Sequence, residues 1–293
     1  MLIDLSYRAK FRVKGNDRVR FLNGQLSNDV ARVQPGETIY ACVLTAKGKL
    51  CADLFVTPLP DSFLLDCHPD LREVLPARLE KYIVADEVEI ADETDLLCLF
   101  HTLPPMIPDA ALPEGTVSRA NRFGTDGDDL FIPEALRNVV PQLLKEPALD
   151  RAQTEALRIE RGIPEWGREL SEEVIPNEAG LDERAVSYTK GCYVGQEVIS
   201  RLKSLGHVNR HLRGIRLIDG PALHAGDKLI GPAGRQIGMI TSAIREDRAG
   251  GWIGLAYLKR GTDEPGTHCQ VQSANSSDLI GTAEVRSLPF IQE

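Results

Sequence analysis

The 293-residue sequence has no basic surplus. It carries 34 lysines and arginines against 43 aspartates and glutamates, a net charge of −9, so direct binding to nucleic acid or an anionic membrane surface is not expected. A local basic pocket for an acidic small molecule fits this balance. CxxC spacing is missing too: Cys42, Cys51, Cys67, Cys98, Cys192 and Cys269 are widely scattered. Neither a zinc ribbon nor a cluster-binding run is expected from them, and no metal site is assigned. "MLIDLSYRAKFRVKGNDRV" lacks the apolar stretch of a signal peptide, and no apolar run approaches membrane-spanning length. The expected setting is cytoplasmic, with reduced thiols. There is no GxxxxGK[ST], the six histidines show no HExxH spacing, and "GPAGRQIG" reads as a hairpin turn without the strand and helix of a dinucleotide site. A Cys-His hydrolase would need a histidine beside Cys192, and nothing in the pattern orients His207.

What is present is mixed α+β material without repeats. "NDRVRFLNGQLSND" reads as a short helix with Val19 and Leu22 inward. "YACVLTAKGKLCADLFVTPL" alternates around Lys47-Gly48 as a hairpin would, "SFLLDC" and "DEVEIAD" read as strands, and "PDLREVLPARLEKY" reads as helix interrupted by Pro76. Residues 103–115 are proline-rich and read as a loop. "DRAQTEALRIERG" is a helix with Asp150 as N-cap and Gly162 as stop. After residue 210 short strand-like runs divided by Gly and Pro suggest a small all-β barrel or sandwich. The expected division is residues 1–210 as one body and 211–293 as a β domain.

Two places could carry chemistry. In "TKGCYVGQEVISRL" Cys192 precedes a helical run with Val198, Leu202 and Leu205 on one face, and Lys190 lies two residues upstream. A helix dipole and an ammonium both favour thiolate; the alternative is a small buried hydrophobe. On the helix from Asp150, Leu149, Ala152, Ala156, Ile159 and Ile163 share a face, with Arg151, Arg158 and Arg161 opposite and Glu160 inside the apolar arc. A carboxylate there is costly unless paired. It either forms a salt bridge or accepts two parallel N–H groups of a heterocycle. Glu178, in the turn-like "IPNEAGLD", is an equal candidate.

The stretch "KGCYVGQE" at 190–197 resembles the K-G-C-Y-x-G-Q-E motif of the YgfZ-type folate-binding proteins, relatives of the glycine-cleavage T-protein. "VRFLNGQLSNDV", "RIERGIPEWG", "PNEAGLDERAVSYTKGC", "VISRLKSLGHVNRHL", "GRQIGMITSAI" and "WIGLAYLKR" extend the likeness over nearly the whole chain. The resemblance implies an α+β folate-binding body of two interleaved subdomains and a C-terminal β-barrel around a central opening. It implies tetrahydrofolate or another reduced folate as cofactor, and iron–sulfur client enzymes or assembly proteins as partners. Under it, Cys192 with Lys190 is the functional thiol site facing the folate. Glu160, Glu178, Gln196, Glu197 and Arg201 are candidate folate contacts, with Arg201 or Arg210 meeting the glutamate tail. The alternative is a folate-dependent transferase of aminomethyltransferase type, which the short, differently built segment "DCHPDL" puts in doubt.

Overall fold

A computed structural model describes residues 1–106, 115–246 and 251–290, so most of the proline-rich stretch read as a loop lies outside the described residues. The chain divides into two compact units: Met1–Arg151 with Leu181–Ser200, and Ala152–Gly180 with Arg201–Glu293.

In the first unit the order is β1 (Leu2–Asp4), β2 (Ala9–Lys14), α1 (Arg18–Gln25), β3 (Ile39–Leu44), β4 (Leu50–Pro58), β5 (Phe63–Cys67), α2 (Val74–Glu80), β6 (Glu89–Asp92), β7 (Leu97–Thr102), β8 (Thr116–Ala120), β9 (Gly127–Pro133), α3 (Val139–Leu144) and β10 (Ala148–Leu149). These strands form two five-stranded sheets, β3-β4-β5-β2-β6 and β10-β1-β7-β9-β8. The chain therefore starts in one sheet, builds the other, and returns. β3 and β4 pair across the Lys47-Gly48 turn, as the alternation predicts, with Gly48 at φ +75°. β5 is buried at every position and reads accordingly as a continuous apolar run around one aspartate. The second sheet packs Leu2, Cys98, Phe100, Leu130 and Ile132 against Val140 of α3.

Two local expectations are corrected. Val19 is exposed, and Phe21 with Leu22 takes the inward place on α1. An eight-residue helix offers barely two turns, so tertiary packing rather than its weak periodicity picks the buried face. Pro76 does not interrupt a helix: it lies in the first turn of α2, where the N–H that proline lacks has no intrahelical partner anyway.

One polar cluster joins the two sheets. Arg122 donates to both oxygens of Asp66 on β5 (3.0 and 2.7 Å) and to both of Asp129 on β9 (2.7 and 2.9 Å). Arg8 also pairs with Asp66, and His101 Nδ1 lies 2.7 Å from Asp129. Burial alone would raise the Asp66 carboxyl. The two guanidiniums outweigh it and hold that group below its usual range.

In the second unit the order is α4 (Arg151–Glu160), whose first residue belongs to the other unit, then α5 (Gln196–Leu205), which passes from one unit to the other at Ser200, then β11 (Arg210–Asp219), β12 (Lys228–Ile230), β13 (Gln236–Glu246), β14 (Gly251–Lys259), β15 (His268–Gln272) and β16 (Leu279–Arg286). The strands close into a barrel, β11-β14-β13-β12-β15-β16, with β16 pairing back onto β11. Closure leaves no sheet edge to protect. Its interior holds Ile215, Leu229, Ile240, Leu258, Val271 and Val285.

Candidate functional site

The motif 190–197 is a strap on the first unit, tied down mainly through backbone groups. Upstream, Ser27 Oγ donates to Ala185 O (2.5 Å) and Ser187 N to Ser27 O (3.0 Å). Lys190 then turns inward. Its ammonium is 2.7 Å from each of three carbonyls, those of Asn23, Leu26 and Asn28. These cluster where α1 ends, where helical carbonyls lack partners and the dipole is negative. The three N–H groups of the ammonium match the three acceptors, so Lys190 is a side-chain cap of α1. Burial pulls its pKa down to about 8, with the charge of Asp29 opposing. Tyr193 is buried and its ring centroid lies 5.2 Å from the ammonium. Val194 N donates to Gly24 O (3.3 Å).

Gly195 turns the strap into α5. Its φ is +87°, and a Cβ there would stand 2.6 Å from Thr45 O; only glycine fits. One turn on, Val198 seats against Gly48 of the β3–β4 turn, and Ile199 is buried. Gln196 is half-buried and Glu197 exposed.

Between the inward Lys190 and Tyr193, Cys192 is exposed. α5 starts at Gln196, four residues on, so the thiol is not in the helix's first turn, and Lys190 spends its donors on carbonyls. The other cysteines differ. Cys42, Cys67, Cys98 and Cys269 are buried and Cys51 is half-buried. Burial pushes Cys269 up to about 11 and Cys98 up to about 12, the latter beside the Glu134 carboxylate. Cys42 and Cys67 are raised further by the same desolvation. Those four stay protonated and inert at neutral pH.

Glu160, Glu178 and Arg201 belong to the second unit. Glu160 is half-buried at the last residue of α4 and Arg201 is exposed on α5. The buried ionic residue of α4 is Arg158, which the helical wheel sets on the polar side. Its guanidinium donates to Glu155 (2.7 and 2.8 Å), Glu169 (2.8 Å), Ser242 Oγ (2.8 Å) and Ile163 O (2.7 Å). The segment after α4 folds back over the side chain and satisfies it, which no helical periodicity encodes. Ser242 Oγ closes the cluster on Glu169 (2.6 Å).

Glu178 is 9% exposed, on the single 3-10 turn Pro176–Ala179. Its Oε2 accepts from Ile175 N (3.3 Å) and Arg210 Nη2 (3.0 Å). Among the described residues Oε1 takes no hydrogen bond. Arg210 also stacks 4.5 Å from the ring centroid of Tyr257, whose hydroxyl donates to Glu169 O (3.0 Å). The sequence offered Arg201 or Arg210 for a ligand tail and gave no signal for Tyr257. The adjacency of Arg210 and Tyr257 comes from the β11–β14 register, Leu212 opposite Tyr257. Among the described residues no group of three or more His, Cys, Asp or Glu side chains could hold a metal ion.

These features define a protein of the T-protein class. Residues 1–105 match the GCVT N-terminal domain and residues 210–292 the glycine cleavage T-protein C-terminal barrel domain. The chain belongs to the T-protein-like family that includes the YgfZ-type proteins. Among its relatives, the tRNA-modifying protein YgfZ of Klebsiella pneumoniae is 28% identical, covering 100% of this chain and 93% of the relative. The aminomethyltransferase of Saccharopolyspora erythraea is 27% identical over 99% of this chain and 86% of its own length. A putative chloroplastic transferase of Arabidopsis thaliana is 30% identical over 89% of this chain; the match spans 65% of that relative's length. The crystal structure of aminomethyltransferase T from Bartonella henselae superposes with a TM-score of 0.86 at 22% identity, covering 99% of this chain and 86% of that one. The fold is that of the T-protein: mixed α/β sheets and a closed six-stranded C-terminal barrel.

Proposed function

We propose that the chain binds tetrahydrofolate, or another reduced folate, through Glu178. We further propose that it presents Cys192 as the working thiol of a factor that supports assembly or repair of iron–sulfur clusters in client enzymes. The observation that carries the folate reading is the Glu178 carboxylate, nearly buried, oriented through Oε2 and open to a donor at Oε1. A pterin sets a ring N–H beside an exocyclic amino group, and a carboxylate accepts such a pair on its two oxygens. The 3.3 Å contact from Ile175 N is the weaker of the two on Oε2, so it is the one that yields to the ligand. Bound folate would supply a carrier of one-carbon units; the chain's own residues bind and orient it. Glu160 is the second candidate anchor. Gln196, Glu197 and Arg201 are further candidate contacts.

The thiol reading rests on contrast. Of six cysteines, Cys192 is the exposed one, between a Lys190 bonded inward and a buried Tyr193. The setting we propose is cytoplasmic, where that thiol stays reduced. No helix among the described residues is long and apolar enough to cross a membrane. A relative described as tRNA-modifying need not imply direct RNA binding by an acidic chain: client enzymes that modify tRNA would account for it. Aminomethyltransferases among the relatives keep a folate-dependent one-carbon transferase as the rival.

Calorimetry with tetrahydrofolate on wild type, Glu178→Gln and Glu160→Gln tests the anchor. Leaving a buried donor unpaired costs about 1–3 kcal/mol. Glu178→Gln should therefore bind roughly five- to more than a hundred-fold more weakly. Equal affinity in both variants removes the anchor assignment. Glycine-dependent formation of methylene-tetrahydrofolate would favour the transferase. Failure of Cys192→Ser to restore iron–sulfur enzymes in a deletion strain would favour the assembly role.

A further inference from the structure

We infer that residues 288–290 form a latch that fixes the last turn of α4, and with it the position of Glu160. This rests on the folate reading, with Glu160, its second candidate, as the contact. The last four carbonyls of a helix have no partner within it. At the end of α4 the turn that follows meets three of them: Leu157 O accepts from Arg161 N (3.0 Å), Ile159 O from Gly162 N (3.0 Å) and Arg158 O from Ile163 N (2.9 Å). The fourth, Glu160 O, accepts from Phe290 N (2.9 Å), far along the chain.

Two glycines make the seat of this segment. Ile215 on β11 points into the barrel core, so its neighbour Gly214 points outward. Gly214 is nevertheless buried. A Cβ there would stand 2.7 Å from Phe290 Cζ and 3.2 Å from Leu288 Cδ2. At Gly162, just past α4, a Cβ would stand 2.8 Å from Leu288 Cβ. Leu288 thus bridges the helix end and the outer face of the barrel, and the Phe290 ring lies on Gly214. Side chains at 162 and 214 would occupy both places. Leu288 and Phe290 are half-buried, so the latch lies on the barrel's outer face, apart from its apolar interior.

The test combines calorimetry with tetrahydrofolate and hydrogen exchange at the amides of Arg161, Gly162 and Ile163. It uses wild type, Phe290→Ala, Gly214→Ala, Glu160→Gln and the double variant Glu160→Gln/Phe290→Ala. Phe290→Ala and Gly214→Ala disturb the latch from its two sides and leave the sequence of α4 unchanged. Phe290→Ala removes a half-buried ring and should fold; Gly214→Ala keeps the ring but takes its place on β11. In both, the three amides should exchange about tenfold faster, and tetrahydrofolate should bind more weakly on the order of tenfold. On the Glu160→Gln background Phe290→Ala should cost no further affinity, because the group it positions is gone. A merely structural role would give equal losses on both backgrounds. That result, unmoved amides, unmoved affinity in Phe290→Ala, or Glu160→Gln binding like wild type overturns the inference and leaves the folate reading standing. Wild type that binds no tetrahydrofolate sinks the folate reading and the inference together.

Discussion

Lys190 stands two residues from an exposed thiol yet faces the other way. Its ammonium caps three carbonyls at the end of α1, a role that accounts for a lysine here without any chemistry at Cys192. Met at 190 would leave those acceptors without donors, a cost of about 2–4 kcal/mol. Lys190→Met should therefore unfold at lower denaturant and exchange the amide protons of the strap faster. Cys192→Ser, changing an exposed side chain, should stay within about 0.5 kcal/mol of wild type. Equal stability of Lys190→Met and wild type, read from urea midpoints, would contradict the capping role and return Lys190 to the chemistry of the thiol.

At the scale of elements, the strap from Leu181 to Gln196 shows what a sequence can and cannot announce. The helix after Gly195, the β3–β4 hairpin and the α4 boundaries follow from periodicity, turn residues and stops, because local chemistry decides them. The inward turn of Lys190 and the burial of Arg158 do not, because their partners are distant backbone and side-chain groups that no local pattern records. Candidate residues such as Glu178 could be named from a turn-like segment, but the stack of Arg210 on Tyr257 depends on strand register. Glycine spacing falls between these cases. Gly191 and Gly195 both flank the cysteine, yet they are not equivalent. A Cβ at Gly191 would meet nothing within 4 Å, whereas one at Gly195 would meet Thr45 O at 2.6 Å on a backbone with φ +87°. Gly191→Ala should change stability by less than about 0.5 kcal/mol, and Gly195→Ala should cost about 2 kcal/mol or more. Thermal melts of the two variants separate the cases; matching losses would mean that the turn does not depend on Gly195.

Over the molecule as a whole, each compact unit has an apolar core and, among the described residues, a buried ionic cluster, and in the first unit the carboxylates carry a response to acid. In the first unit two buried carboxylates of the same sheet are pushed in opposite directions. Asp66 on β5 is held below its usual value because Arg122 and Arg8 outweigh its burial. Asp53 on β4 is raised, because burial outweighs the charge of Arg8 and the hydrogen bond from Tyr40. For Asp66 the unfolded chain binds the proton first as pH drops. Its contribution to stability is complete above the ordinary carboxyl value of 3.8 and is lost as pH falls through the lower folded value. Asp53 has the reverse sign: its charged form is disfavoured by folding, so its ionisation takes stability away as pH rises through the raised folded value. Substitution should separate them at neutral pH. Asp66→Asn leaves Arg8 without its carboxylate and Arg122 with Asp129 alone, and should cost about 3–5 kcal/mol. Asp53→Asn takes away a carboxyl whose charged form burial disfavours while keeping an oxygen for Tyr40, and should cost much less. Urea unfolding of both variants at pH 7, with wild type followed from pH 5 to pH 2, tests the assignment. Equal losses in the two variants, or a wild type whose stability does not decline below pH 3.8, would show that the Arg122 cluster does not carry the charge balance of its unit.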